Sequence, residues 1–228
     1  MPNLKEHVNN VLGYSKEVTC IPIGFDDEEI NKTKEITKNI KMLIPKNKFI
    51  VGYFGGIGIS NALDSFFDAI DKMKDNKDIH FLIAGEGDLK HNYYFQTKHL
   101  TNITFLPLVE KKFIYSLMSN CDLLYFSTHK SRIWKYGQSL NKLVDYMLTG
   151  IPIIGSYDGY KTMINESECG EFISPNDREA IIRKVLTYQG MSIEKRKHIG
   201  EKGKKWILKN RSYKRLSCSL SKIIFKNI

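Results

Sequence analysis

The residues best suited to chemistry are concentrated in one stretch, Tyr136-Gly137-Gln138-Ser139-Leu140-Asn141-Lys142-Leu143-Val144-Asp145-Tyr146-Met147-Leu148-Thr149-Gly150-Ile151-Pro152. A polar loop runs into a helical pattern near Leu140, a glycine ends the helix, and a proline-led apolar strand follows. Asn141 and Lys142 fall in the first helical turn, where unpaired backbone N–H groups and the helix dipole favour an anion. The lysine adds a point charge, so this turn suits a diphosphate. Asp145 lies one turn further on the same side. Its carboxylate can accept hydrogen bonds from two ribose hydroxyls. The plainer alternative is a surface salt bridge between Lys142 and Asp145.

Two glycine loops add to this stretch. Gly55, Gly56 and Gly58 follow the apolar run Phe49–Phe54 and precede Ser60 and Asn61. Glycines after a strand let the backbone approach a phosphate, although their spacing is not that of a dinucleotide fingerprint and a tight turn explains them as well. Gly85-Glu86-Gly87-Asp88 closes the next apolar run; it reads either as a loop flanking a nucleotide or as an acidic helix start. The six histidines form no cluster, and only His129 falls in the polar loop before Leu140. Cys20, Cys121, Cys169 and Cys218 are scattered, which argues against a metal site or a disulfide framework.

These loops need a scaffold, and the remaining pattern supplies one. Apolar runs at 49–54, 80–84, 103–106, 123–126, 152–155 and 171–174 read as strands. They alternate with helical patterns at 88–98, 110–119, 140–149, 177–189 and 192–209, and with a helix starting near Ser60 or Asn61. Continuous apolar strands alternating with helices predict an α/β fold: a single Rossmann-like parallel sheet with helices on both faces. Ligands bind such sheets at the strand carboxyl ends, here the loops at 55–61, 85–88, 107–110 and 127–142. Upstream, the pattern predicts a helix over 4–14 capped by Asn3, a strand over 18–23, and a helix over 26–43.

The chain has 228 residues and a mass of 26.4 kDa, with 42% hydrophobic and 26% charged residues. That balance is globular and excludes disordered, collagen-like and coiled-coil readings. No apolar run approaches the roughly 20 residues of a membrane span, and MPNLKEHVNN has no signal-peptide core, so a cytoplasmic location is expected. The net charge is +10. Residues 194–228 hold 12 Lys and Arg against Glu194 and Glu201, so the rest of the chain is neutral overall. A basic end of this kind suits an anionic surface or a solvated helix face. Nucleic acid is disfavoured, because Trp206, Tyr213 and Phe225 are too sparse for stacking platforms.

The 136–152 stretch resembles the donor-binding signature of retaining GT-B glycosyltransferases: glycosyltransferase family 4, glycosyl transferases group 1, in the subgroup that builds O-antigen and capsule polysaccharides. Tyr136, Gly137, Ser139, Asn141, Lys142, Leu143, Asp145, Tyr146, Met147, Gly150 and Pro152 fit its pattern. Tyr53-Phe54-Gly55-Gly56 with Gly58 and Asn61 resembles the subgroup's first glycine loop, and Ile83-Ala84-Gly85-Glu86-Gly87 its second. Ile103–Val109 resembles the edge that receives the nucleobase. The resemblance covers about residues 15–210.

It implies one half of a GT-B fold, binding a nucleoside-diphosphate sugar, by family habit a UDP-sugar. The implied donor contacts are Gly55, Gly56, Gly58, Asn61, Gly85, Glu86, Leu108, Val109, Gly137, Ser139, Leu140, Asn141, Lys142 and Asp145. Lys142 and Asn141 would stabilise the leaving diphosphate, with no metal or other cofactor. Two positions depart from the wider family. Gly137 stands where the first acidic residue of the signature is expected, and Gly56 and Asn61 stand where the first loop carries an arginine and a lysine. The implied division is an interdomain remnant at 1–25, a nucleotide-sugar domain at 26–210 and an amphipathic basic helix at 211–228. The acceptor would then be held by a separate protein or a second copy, at or near the inner membrane face. The competing readings are a non-catalytic nucleotide-sugar-binding subunit and an inactive remnant.

Overall fold

The computed structural model describes residues 1–225, apart from the side chain of Glu29. Six strands form one sheet: β1 (Phe49–Phe54), β2 (Ile79–Ala84), β3 (Ile103–Phe105), β4 (Leu123–Ser127), β5 (Ile153–Ser156) and β6 (Gly170–Ile173). They are all parallel, in the order β3-β2-β1-β4-β5-β6. Every residue of β1, β2, β4 and β5 is buried, as expected of strands covered on both faces.

Alternate strand residues feed two cores. On one face Val51, Tyr53, Phe81, Ile83 and Tyr125 pack against α4 (Asp64–Lys72), α5 (Lys90–Thr97) and α9 (Arg178–Gln189). Phe66 of α4 stacks on Tyr125 with ring centroids 4.1 Å apart. On the other face Ile50, Phe54, Leu82, Leu124 and Phe126 meet α6 (Lys111–Met118), α7 (Asn141–Thr149), α8 (Met163–Ser167) and α10 (Ile193–Asn210). The order reverses at β1, which lies between β2 and β4. Their carboxyl-terminal loops therefore flank a crevice at the switch point.

Several expectations upstream and at the ends are corrected. Residues 18–23 form no strand, because pairing requires a neighbour and this segment reaches neither sheet edge. The one bridge nearby joins Phe25 to Ser212, with the Phe25 N–H donating to the Arg211 carbonyl at 3.0 Å. Gly24 permits that approach, since a Cβ there would sit 2.2 Å from the Arg211 oxygen. The helix expected over 26–43 is two short ones, α2 (Asp27–Asn31) and α3 (Lys38–Met42). Between them the Lys34 N–H donates to the Lys112 carbonyl and the Ile36 N–H to Ser116, so tertiary bonds to α6 replace helical ones.

Asn3 does not cap α1 (Lys5–Leu12); its side-chain amide donates to the Lys135 carbonyl at 3.0 Å. Ile59–Asn61 is a 3-10 turn, and α4 proper begins at Asp64. Helix α8, unexpected from the pattern, is fixed by a capping box between Thr162 and Asn165. The last helix, α11 (Tyr213–Ile224), buries Leu216; residues 226–228 of the expected 211–228 segment lie outside the described residues. No helix among the described residues is long and apolar enough to cross a membrane.

Candidate functional site

Helix α7 is pinned to the carboxyl end of β1 by Tyr146. Its buried hydroxyl accepts from the Phe54 N–H at 2.8 Å and donates to the Phe54 carbonyl at 2.9 Å. This anchor brings Lys142, one turn earlier on α7, over the first glycine loop. The Lys142 ammonium donates to Asn61 Oδ1 at 2.7 Å and to the Tyr53 hydroxyl at 3.2 Å. Tyr53 passes the chain on, donating to the Gly56 carbonyl at 2.5 Å. Gly55 makes room for the lysine, since a Cβ there would lie 3.0 Å from Nζ. The Asn61 turn is itself held from β4, with Ser127 Oγ donating to the Asn61 carbonyl at 2.6 Å.

The second glycine loop braces the first. The Gly55 N–H donates to the Ala84 carbonyl and the Ile57 N–H to the Glu86 carbonyl. Gly85 has φ 158°, and a Cβ on it would fall 1.8 Å from the Gly55 carbonyl oxygen. The glycine is thus required by contact between the two loops.

A cleft of about 260 Å³ opens at this point. It brings together six of the residues expected from sequence: Gly55, Gly85, Leu108, Val109, Lys142 and Asp145. Leu108 and Val109 form an apolar wall with Ile114 and Met118 of α6. Asp145 accepts from the Tyr115 hydroxyl at 2.6 Å. Lys142 makes no ion pair with Asp145 or with any other described carboxylate. The plain salt-bridge reading of the two residues therefore does not hold. Burial without a carboxylate pushes the Lys142 ammonium down from 10.5 to about 8. A cation held this way, beside glycine backbone and above an apolar wall, suits a phosphate next to a flat ring.

The other expected contacts lie around the cleft. Asn61 stands behind Lys142 as its acceptor, and Gly56 and Gly58 form the outer part of the loop. Glu86 pairs with Lys90 at 2.6 Å. Asn141 is exposed at the start of α7, whose N-cap residue Leu140 supplies no side-chain bond. Ser139 and Leu140 border a different cavity. Gly137 is buried under the amino-terminal segment, and a Cβ on it would lie 2.3 Å from Pro2 Cδ. His129 meets the Ile59 carbonyl at 2.5 Å and so buttresses the same turn as Ser127. Sequence reasoning placed Tyr53 and Tyr146 in the motifs without giving either a role, and it passed over Tyr115. By pattern, a tyrosine near a strand end (Tyr53) or inside a helix (Tyr115, Tyr146) is indistinguishable from core.

The parallel sheet reversing at β1, with a glycine-walled cationic cleft over its carboxyl edge, has the fold of one half of a GT-B glycosyltransferase. The chain belongs to the glycosyl transferases group 1 family, whose model matches residues 48–189, more than half its length. It is similar to a glycosyltransferase from Rickettsia africae at 16% identity and a TM-score of 0.72, over 99% of this chain and 62% of that one. A trehalose-6-phosphate protein from E. coli bound with UDP-2-fluoro glucose matches at 15% identity and 0.71, over 94% and 52%. The C-terminal domain of a glycosyl transferase group 1 family protein from Francisella tularensis matches at 18% and 0.63, over 83% of this chain and 100% of that one. The chain thus spans 52–62% of the length of the first two. Among curated proteins, none matches the sequence.

Proposed function

We propose that this chain is a donor-binding unit for a nucleoside-diphosphate sugar, serving retaining glycosyl transfer in the synthesis of bacterial surface polysaccharide. The observation that carries the reading is Lys142, a half-buried ammonium with no carboxylate partner, held over Gly55 by Asn61 and Tyr53. A diphosphate would supply the missing negative charge. The base would lie against Leu108 and Val109, and the Asp145 carboxylate would receive the ribose hydroxyls. As the sugar leaves, charge grows on the diphosphate, and a preorganised cation beside backbone N–H groups stabilises that charge more than it stabilises the bound donor. Asn141 at the head of α7 would add to this stabilisation. No metal or other cofactor is invoked, and a uridine nucleotide is the first candidate.

The acceptor would be supplied by another domain or protein, or by a second copy, with the basic carboxyl-terminal region resting against the inner membrane face. A second reading, a nucleotide-sugar-binding subunit without catalysis, draws support from Gly137. That position has no side chain to touch the sugar and lies beneath Pro2.

Calorimetric titration with UDP, GDP, UDP-N-acetylglucosamine and ATP tests donor binding. The expected result is binding of one diphosphate nucleotide at micromolar to millimolar concentration, weakened by both Lys142→Ala and Asp145→Ala. Absence of binding by all four ligands would overturn the reading. Product formation once an acceptor-binding partner is added separates the catalytic reading from the non-catalytic one.

A further inference from the structure

A second cavity of about 200 Å³ lies on the other side of α7. Lys142, Asp145 and Tyr146 face the donor cleft, whereas Leu140, Leu143 and Val144 face this cavity, and the two share no lining residue. Its walls are largely apolar, with Met163 and Leu143 among them, but one polar side chain on it lacks partners. Both the Oε1 and the Nε2 of Gln138 are buried without a hydrogen bond. A buried carboxamide left in this way costs free energy on both atoms. The Arg211 guanidinium also lines the cavity. It lies 5.1 Å from the Trp206 ring centroid, and no described carboxylate lies within salt-bridge distance of it. Lys161 and Glu166 line it as well, one cation and one carboxylate.

We propose that this cavity is a second ligand site, for a small anion that also carries hydroxyl groups: a sugar bearing a phosphate or a carboxylate. A hydroxyl both donates and accepts, so neighbouring hydroxyls satisfy the two ends of the Gln138 amide once that side chain turns toward the ligand. An oxyanion takes the fork of Arg211, with Lys161 beside it. The volume falls below the roughly 300–1,000 Å³ of drug-sized sites, which limits the ligand to about one sugar ring. This site is independent of the donor reading, because none of its residues touches the Lys142 cleft.

The test is calorimetry on the full chain with glucose 6-phosphate and glucuronate as probes, and with glucose and inorganic phosphate as the two halves of the ligand. Either probe is expected to bind, and to bind more tightly than glucose or phosphate alone. Gln138→Leu and Arg211→Gln each weaken it by about tenfold or more, the size expected for lost charge-assisted or buried hydrogen bonds. Lys142→Met leaves it unchanged, and the thermal midpoints of the Gln138 and Arg211 variants report that the fold is kept. No binding of either probe at about 10 mM, a ceiling near 3 kcal/mol of affinity, overturns the proposal. Loss of binding in Lys142→Met overturns it too, because the probe then sits in the donor cleft. Equal affinity for inorganic phosphate alone also overturns it, as does affinity unchanged by Gln138→Leu and Arg211→Gln.

Discussion

The Lys142 ammonium and Asn61 Oδ1 meet at 2.7 Å across 81 positions of sequence and across the end of the sheet. Helix α7 belongs to the core on one face, and the Tyr53 ring that also receives the lysine belongs to the core on the other. The lysine passes over Gly55, where a Cβ would lie 3.0 Å from its Nζ. One charge from one face is thereby positioned by two neutral groups from the other, and neither neutralises it.

That arrangement makes Lys142 costly in the free protein and useful in the bound one. Lys142→Met is expected to weaken UDP or UDP-sugar binding by roughly 10- to 100-fold, the range of one or two charge-assisted hydrogen bonds. The same substitution removes a half-buried charge that lacks a counter-ion, so the thermal midpoint without ligand should rise by about 2–4 °C. Calorimetry and thermal melts on one preparation read both effects. A fall in midpoint together with unchanged affinity would contradict the assignment.

The pH dependence follows from the same group. The free-protein Lys142 titrates at about 8, below its ordinary 10.5. A bound diphosphate favours the charged form and raises that value again. Binding should therefore be strongest below about pH 8 and weaken as pH rises above it, with proton uptake on binding near pH 8.5–9. Titration in two buffers of different ionisation enthalpy measures the uptake. For stability the sign is opposite to that of a stabilising pair. Between about 8 and 10.5 the unfolded chain holds more protons at this residue than the folded one. The lysine's destabilising contribution is thus full below pH 8 and is lost as pH rises toward 10.5.

Gly85→Ala should damage the fold around the site. The new Cβ would sit 1.8 Å from the Gly55 oxygen, at a φ of 158°. The expected destabilisation is roughly 2–4 kcal/mol, from steric displacement of the loop plus backbone strain. Urea unfolding gives the number. Gly58→Ala is the matched control, because a Cβ there meets nothing within 4 Å.

Tyr146→Phe tests the anchor of α7. It removes the acceptor of the buried Phe54 N–H and one donor to the Phe54 carbonyl. A loss of about 1–3 kcal/mol is expected from the unsatisfied N–H. Because Lys142 rides on the same helix, nucleotide affinity should fall as well, though less than in Lys142→Met. Full stability in urea would show that the hydroxyl does not hold the helix in place.

The basic excess of the carboxyl-terminal region gives a salt test. If residues 194–228 meet an anionic bilayer, sedimentation with vesicles containing phosphatidylglycerol should exceed that with neutral vesicles and decline between low and physiological salt, because surface charges are screened over about 8–10 Å. Equal sedimentation with both vesicle types would leave the charge as a solvated helix face.

The sequence by itself determined the elements and the chemistry available to them. Strand burial on both faces was legible in the unbroken apolar runs of β1, β2 and β4, and the helix at 141–149 in its pattern and closing glycine. These are local properties: periodicity, capping and turn residues act within a few positions. The placement of Gly55, Gly85, Leu108, Val109, Lys142 and Asp145 around one cleft also followed, because parallel strands bring their carboxyl-terminal loops to one edge.

Tertiary structure decided the partners. By spacing alone Lys142 could pair with Asp145, but packing turns it to Asn61 and Tyr53 and gives Asp145 the Tyr115 hydroxyl. Residues 18–23 have strand composition but no strand, since a ladder depends on a neighbour that sequence does not name. Gly137 lies in the signature yet is closed over by Pro2. In each case the deciding contact joins segments distant in the chain. Its existence depends on how whole elements pack, which no window of the sequence contains.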